Sequence, residues 1–369
     1  MKGLMRGLRI YFKKIDASLL VACLFVSSLS IVLLSGIIHT GYANSRALIV
    51  QVVALVLGLL CMVILSLLDY KFLAGLWRLY VPLGYGLVLL TFIWGTARGD
   101  DKAWIIIGPV SLQPAEFLKI AFILAFALHL EKIGDKLNDL DNLIPLVGHG
   151  LIPVVLAHFQ GDDGTALVFA CIFFCMLFAA GLSWRYIFAA AGMVAVASPL
   201  AWYFVFTDDQ RKRFMILFNP ELDPLGGAWQ QLNGVLAIGS GQVWGKGIFT
   251  GEHIRVPEIR NDFIFAFLGE SLGFMGCLLV IALMFFICLR MLLDSTKSRD
   301  ACGRYVCVGV FGMIAFQAII NIGMCLSVLP VIGVTLPLLS SGGTSVLSTY
   351  LGLGLVLSVH AQNRNVMFE

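Results

Sequence analysis

Residues 257–290 read PEIRNDFIFAFLGESLGFMGCLLVIALMFFICLR. Charges alternate with neutral residues up to Asp262, and a run with Glu270 as its sole charge extends from Phe263 to Leu289. A helix needs about 20 mostly apolar residues to cross a hydrocarbon core of ~30 Å. This run is longer than that, so the segment reads as a membrane span and sets the fold class. It also poses a problem. Desolvating a carboxylate costs free energy, so Asp262 at the mouth of an apolar segment calls for a reason.

The rest of the chain agrees with a membrane protein. It has 369 residues, 59% hydrophobic and 13% charged, with a mean hydropathy of +0.93. Soluble domains are roughly half apolar and a quarter charged. Ten apolar runs can be placed, at about 16–38, 46–68, 77–96, 114–131, 144–159, 164–182, 185–206, 262–290, 304–328 and 343–361. Lys2, Arg6, Arg9, Lys13 and Lys14 precede the first. That run is too long for a signal-peptide core and has no convincing cleavage site, so it reads as a membrane helix.

Further basic residues, Lys71, Arg78, Lys132, Lys136, Arg185, Arg290, Lys297, Arg299 and Arg304, fall on the same side as these. The other side offers mainly Arg46, Arg98 and Lys102 in its short loops. The positive-inside rule puts both termini in the cytoplasm. The expectation is an all-α polytopic membrane domain over residues 1–369, with about ten transmembrane helices. One long extracytoplasmic loop, 207–261, joins helices seven and eight and places Asp262 at the outer face. A net charge of +3 is too small to argue for nucleic acid. The nine cysteines lie in spans or on the cytoplasmic side, which gives no disulfide framework. No zinc spacing, phosphate loop or dinucleotide fingerprint occurs.

Polar residues gather on the outward side in four places. In Gln113-Pro114-Ala115-Glu116-Phe117-Leu118-Lys119, Pro114 suits the first helical position, and Glu116 and Lys119 are spaced to pair. Such a pair caps a helix start, but an ionisable Lys119 inside a span also suits a cavity. Gln160-Gly161-Asp162-Asp163-Gly164-Thr165 reads as a turn capping the next helix, or as oxygen ligands for a divalent cation at Asp162. The long loop carries Arg211-Lys212-Arg213, and Trp229, Leu232, Leu236 and Gly239 at helical spacing. Its three outward cations suit either a phosphate-bearing ligand or anionic head groups. The fourth place joins the 257–262 stretch to Leu329–Thr344, whose prolines and glycines break helical backbone. Irregular backbone at membrane depth belongs beside a cavity.

These stretches, together with Gly181-Leu182-Ser183-Trp184-Arg185, Asn219-Pro220-x-x-Asp223-Pro224-Leu225-Gly226, Ala237-Ile238-Gly239-Ser240-Gly241, Pro257-Glu258-x-x-x-Asp262-Phe263-Ile264-Phe265-Ala266, Asn321-Ile322-Gly323-Met324 and Leu336-Pro337-Leu338-x-Ser340-x-Gly342-Gly343, occur in order. The chain thereby resembles the SEDS family (shape, elongation, division and sporulation) from about residue 100 to its end. Asp223-Pro224-Leu225-Gly226 and Asn321-Ile322-Gly323-Met324 look like its RodA-type elongation branch. The match has departures: Ala115 replaces a serine, Gly161 a proline and Asn233 a glutamine. Ala103 stands for an arginine, Ser271 for a glutamate and Thr344 for a serine.

The resemblance implies a peptidoglycan glycosyltransferase that polymerises lipid II at the outer face of a bacterial plasma membrane. It further implies a class B penicillin-binding protein and the elongation machinery as partners. The family's essential aspartate maps onto Asp262, which becomes the candidate general base. Lys119, Arg211, Arg213 and Lys246 are candidates to meet the departing pyrophosphate. Glu116, Glu258 and Ser340 are candidates to contact or orient the substrate, and Asp162 is the candidate ligand for a Mg or Mn ion. Read without the family, Asp262 is equally a helix-start acid following Asn261. The competing classes are a lipid II flippase and an inactive scaffold.

Overall fold

The computed structural model describes residues 15–98, 101–107, 110–223 and 226–365. The basic residues Lys2 to Lys14, the Pro224-Leu225 pair and the Arg98 side chain, all used above, lie outside the described structure.

Asp16 starts the first helix, α1 (Ala17–His39), by accepting from the Ser18 and Leu19 amides. Asn44 does the same for α2 (Ser45–Leu67). A short α3 (Tyr70–Gly75) turns the chain into α4 (Trp77–Trp94). Next comes a feature absent from the sequence expectation. Strands β1 (Thr96–Arg98), β2 (Asp101–Ile107) and β3 (Val110–Leu112) form a small antiparallel sheet in the order β1-β2-β3. It leads directly into α5 (Pro114–Ile133), which is followed by α6 (Leu140–Phe159), α7 (Asp163–Ala179) and α8 (Trp184–Phe204).

The long connection after α8 is folded. It holds α9 (Asp208–Ile216), closed by a Thr207–Gln210 capping box, and α10 (Gly227–Ser240) over the expected helical stretch. The chain ends with α11 (Ile264–Thr296), α12 (Ala301–Cys325) and α13 (Gly343–Asn365). Ten of these helices overlap the ten expected apolar runs. Eight are long and apolar enough to cross a membrane. The 17-residue α7 and α5, with its Glu116, Lys119, Glu131 and Lys132, fall short of that measure.

The core lies along α5, α12 and α13, whose inward faces carry Phe122, Phe126, Val310, Met313 and Tyr350. A Cβ added at Gly58 of α2 would sit 2.8 Å from the Tyr350 ring, so glycine lets α2 and α13 pack closely. The Tyr350 hydroxyl is satisfied by Ser27 at 2.6 Å. At the other extreme, α8 buries none of its residues and stands off this core.

One long helix is broken on purpose. Gly273 interrupts α11 at φ +68 and ψ −165, a region open essentially to glycine alone. The freed backbone groups bond instead to the 242–247 turn. The Lys246 amide donates to Glu270 O (2.9 Å), Gly247 to Ser271 O (2.9 Å), and Phe274 to Gln242 O (2.8 Å). An added Cβ would meet Gly245 N at 2.4 Å. Gly273→Ala is therefore expected to cost about 2 kcal/mol or more, combining backbone strain with a clash. A thermal melt of the purified variant checks this.

Candidate active site

The turn that delivers Asp262 is held from several sides. Glu258 takes a left-handed backbone conformation, φ +49, which is uncommon for a residue with a side chain. Its carbonyl accepts from the amides of Asn261 (2.9 Å) and Phe263 (3.3 Å). Its carboxylate accepts from the Asn261 side chain at 2.6 Å. Below the turn, Phe263 and Phe265 are buried and anchor the start of α11.

The broken segment between α12 and α13 supplies the clamp. Asn321, fully buried in α12, donates from Nδ2 to Asp262 O at 2.8 Å and to Val334 O at 2.7 Å. Ser340 donates from Oγ to Asn261 O at 2.6 Å, and its Oγ accepts from the Leu336 amide at 2.8 Å. The Ser341 amide reaches Arg260 O at 2.8 Å. One asparagine thus bridges the candidate base and the 329–342 segment. Asn321→Leu keeps the volume but strands two carbonyls, at about 1–3 kcal/mol each. The expected outcome is a lower melting temperature together with reduced activity, with Asn321→Ser losing less of both.

The Asp262 side chain is different. It is half-buried and has no hydrogen-bond partner among the described residues. A Cβ placed on Gly333, itself at φ +69, would lie 4.0 Å from Asp262 Oδ2, so the segment passes close by. Asp262 precedes the helix, which begins at Ile264. Desolvation first, then the charges of Glu258 and Asp162, push its carboxyl up to about 7.

Asp162 stands at the start of α7; its charge is felt at Asp262, and that of Lys119 is felt at Asp162. Its Oδ1 accepts from the Thr165 amide (2.9 Å) and its Oδ2 from Gln113 Nε2 (2.6 Å). Burial raises its pKa, and the Thr165 contacts and Lys119 oppose that rise. In the first turn of α5, Lys119 Nζ pairs with Glu116 Oε2 at 2.9 Å with both side chains buried. Ser348 of α13 donates to the same Glu116 oxygen at 2.5 Å. Gln113, Glu116, Lys119, Asp162, Glu258, Asp262 and Ser340 therefore form one linked polar cluster at one end of the bundle.

Each Asp162 oxygen already accepts one protein N–H group, which leaves it one further lone pair. Among the described residues, three potential ligands converge only at Asp16, Asp294 and His360, near the opposite ends of α1, α11 and α13. There Arg290 already binds Asp16.

Two of the expected cations have acceptors other than the cluster's residues. Arg211 donates to Trp202 O (2.7 Å), Tyr203 O (3.0 Å) and Asp208 Oδ1 (3.1 Å), closing the C-terminal end of α8. Lys246 Nζ lies 2.6 Å from Glu270 Oε1, a carboxylate with no exposure. Glu270 also receives the Ile254 amide at 3.0 Å and faces His253 at 3.2 Å. Arg213 in α9 also has a partner of its own. Conversely, sequence reasoning gave Asn321 and Ser348 no role. The signal available was a polar side chain inside an otherwise apolar span, which in a membrane protein marks a packed or functional position.

Comparison with known proteins places this geometry in a family. Residues 10–365 match the FtsW/RodA/SpoVE family model, described as cell cycle protein. The peptidoglycan glycosyltransferase MrdB of Escherichia coli K12 is 33% identical over 315 residues, covering 84% of each chain. Among solved structures, a chain of a peptidoglycan synthase complex that coordinates polymerization and crosslinking matches at TM-score 0.79. It is 30% identical and covers 95% of this chain and 98% of its own. The rod shape determining protein RodA of Thermus thermophilus matches at TM-score 0.68 and 28% identity, covering 94% of this chain and 96% of its own. The chain belongs to the FtsW/RodA/SpoVE, or SEDS, family.

Proposed function

We infer that the protein is a peptidoglycan glycosyltransferase that polymerises lipid II into β-1,4 glycan during cell elongation, with Asp262 as general base. The observation that carries this reading is the Asp262 carboxylate. It is half-buried, has no hydrogen-bond partner among the described residues and sits on a clamped backbone, and burial with the Glu258 and Asp162 charges pushes its pKa up to about 7. A general base works best when its pKa lies close to the working pH.

Joining an α-linked pyrophosphate donor to a sugar 4-hydroxyl with β outcome requires inversion. Asp262 takes the hydroxyl proton as the 4-oxygen attacks the anomeric carbon. The pyrophosphate leaves from the opposite face with the bonding electron pair. Pyrophosphate departs without an acid if its charge is met, and Lys119 is the cluster's cation for that task. Glu116 and Ser348 fix the lysine in place, while Asp162 helps keep the Asp262 pKa high. Gln113 and Thr165 orient Asp162 with one hydrogen bond to each oxygen, and a divalent cation held there would add charge to meet the pyrophosphate.

In this reading the ten helices span a bacterial plasma membrane, both termini are cytoplasmic, and the Asp262 end faces outward. A class B penicillin-binding protein crosslinks the emerging strand, alongside other elongation proteins. A flippase would hold its polar groups near the bilayer midplane, whereas this cluster lies at one end of the bundle. Purified protein mixed with labelled lipid II in detergent separates the classes. A polymerase makes long glycan strands there, and a flippase or scaffold makes none.

A further inference from the structure

A second polar feature adjoins the base. A cavity of about 530 Å³ opens between the α1–α2 turn, Thr40 to Asn44, and the 255–260 stretch. Its size is in the usual range of small-molecule sites. Arg255, Arg260 and Glu258 supply its charged walls, and Thr40, Tyr42 and Asn44 supply polar ones. Neither arginine side chain has a protein acceptor among the described residues. Lys119, Arg211, Lys212 and Lys246 differ, because each already faces a carboxylate. The one acid in the cavity, Glu258, is turned partly to Asn261 at 2.6 Å.

The walls are anchored. Tyr42 donates to His253 O at 2.7 Å, Asn233 to Arg255 O at 3.3 Å, and the Ser341 amide to Arg260 O at 2.8 Å. Asn44 is also the cap of the 23-residue α2, so the positive end of that helix dipole opens toward the cavity. Two unpartnered guanidinium groups in a polar cavity match phosphate oxygens, which arginine binds with two parallel N–H donors.

We propose that this cavity is a phosphate-binding subsite for the lipid-linked substrate, with Arg255 and Arg260 as its anion-binding residues. The proposal rests on the polymerase reading for the identity of the ligand. Joining two lipid II molecules brings two pyrophosphate groups to one enzyme, one leaving and one retained. Lys119 is the buried cation of the polar cluster, and Arg260 is in the same turn as Asp262, two residues before it. In this proposal the arginine pair of the cavity meets one pyrophosphate and leaves Lys119 for the other. The same chemistry would also accept the head group of an anionic phospholipid.

The test uses full-length protein in phosphatidylcholine nanodiscs. Inorganic pyrophosphate binding is measured by titration calorimetry, and the KM for lipid II by strand synthesis. Arg255→Gln/Arg260→Gln is expected to weaken pyrophosphate binding about tenfold or more and to raise KM similarly. Arg255→Lys/Arg260→Lys keeps the charge and is expected to fall between, which separates lost charge from lost folding. A repeat with phosphatidylglycerol nanodiscs identifies the source. If phosphatidylglycerol displaces pyrophosphate from the wild type alone and KM in phosphatidylcholine is unchanged, the subsite holds a lipid head group. Equal pyrophosphate binding and equal KM in wild type and glutamine variant, in both lipids, would overturn the proposal. Calorimetry needs no turnover, so a wild type that binds pyrophosphate through these arginines yet makes no glycan refutes the polymerase reading alone.

Discussion

Asp262→Asn is expected to lower glycan synthesis by about a hundredfold or more and, at the same time, to make the protein more stable. The loss follows from removing the proposed general base, since general-base catalysis contributes about 10²–10⁴. The gain follows from the raised pKa. Burial, Glu258 and Asp162 lift the Asp262 carboxyl from 3.8 to about 7. The folded protein therefore holds a proton there that the unfolded chain has released. The stability linked to that proton is complete below the unfolded value and is lost as pH rises through about 7. Above that pH the ionised carboxylate opposes folding, and an uncharged amide of the same shape does not. Melting curves should show the variant ahead of wild type by the widest margin above neutrality, with the gap closing toward pH 4 or so. Retained polymerisation by a well-folded Asp262→Asn protein would remove Asp262 from the mechanism.

The second large effect concerns Lys246. Glu270 is enclosed in α11, and Lys246, at 2.6 Å, is its nearest cation. Stripping the partner from a buried charge typically costs about 3–5 kcal/mol. The Lys246 side chain is one-third exposed, which points to the lower end of that range. Lys246→Met is thus expected to lower the melting temperature sharply, and Lys246→Met/Glu270→Gln to recover most of the loss. The cycle reports a coupling between neighbours rather than two independent sites. A substrate-binding lysine would behave otherwise, with an unchanged melt and a raised KM for lipid II.

Much of this molecule could be read from hydropathy. Apolar runs predict helices because a bilayer demands internally satisfied backbone, and all ten runs carry one. The 96–112 sheet went unseen because Trp104 to Ile107 is a short apolar stretch without an alternating pattern. The folded nature of 207–261 was only partly legible: the 229–239 spacing marked α10, whereas α9 depends on a capping box in a charged segment. For the site, Glu116 and Lys119 were visible because three residues along a helix makes neighbours. The commitments of Arg211 and Lys246 were not, because their acceptors are a helix end and a glutamate brought close only by the kink at Gly273. Asn321 lies 59 residues from the carbonyl it holds, a relation that no local pattern encodes.

In the proposed mechanism a carboxylate with a raised pKa drives glycan synthesis. The pH dependence of kcat/KM for lipid II polymerisation by the purified wild-type protein tests it directly, since that profile reports the free enzyme's essential base. A tenfold fall per pH unit below about 7 and a plateau above it are expected, the limb being set by Asp262. A profile that stays flat down to the ordinary carboxylate range, near pH 4, would contradict it.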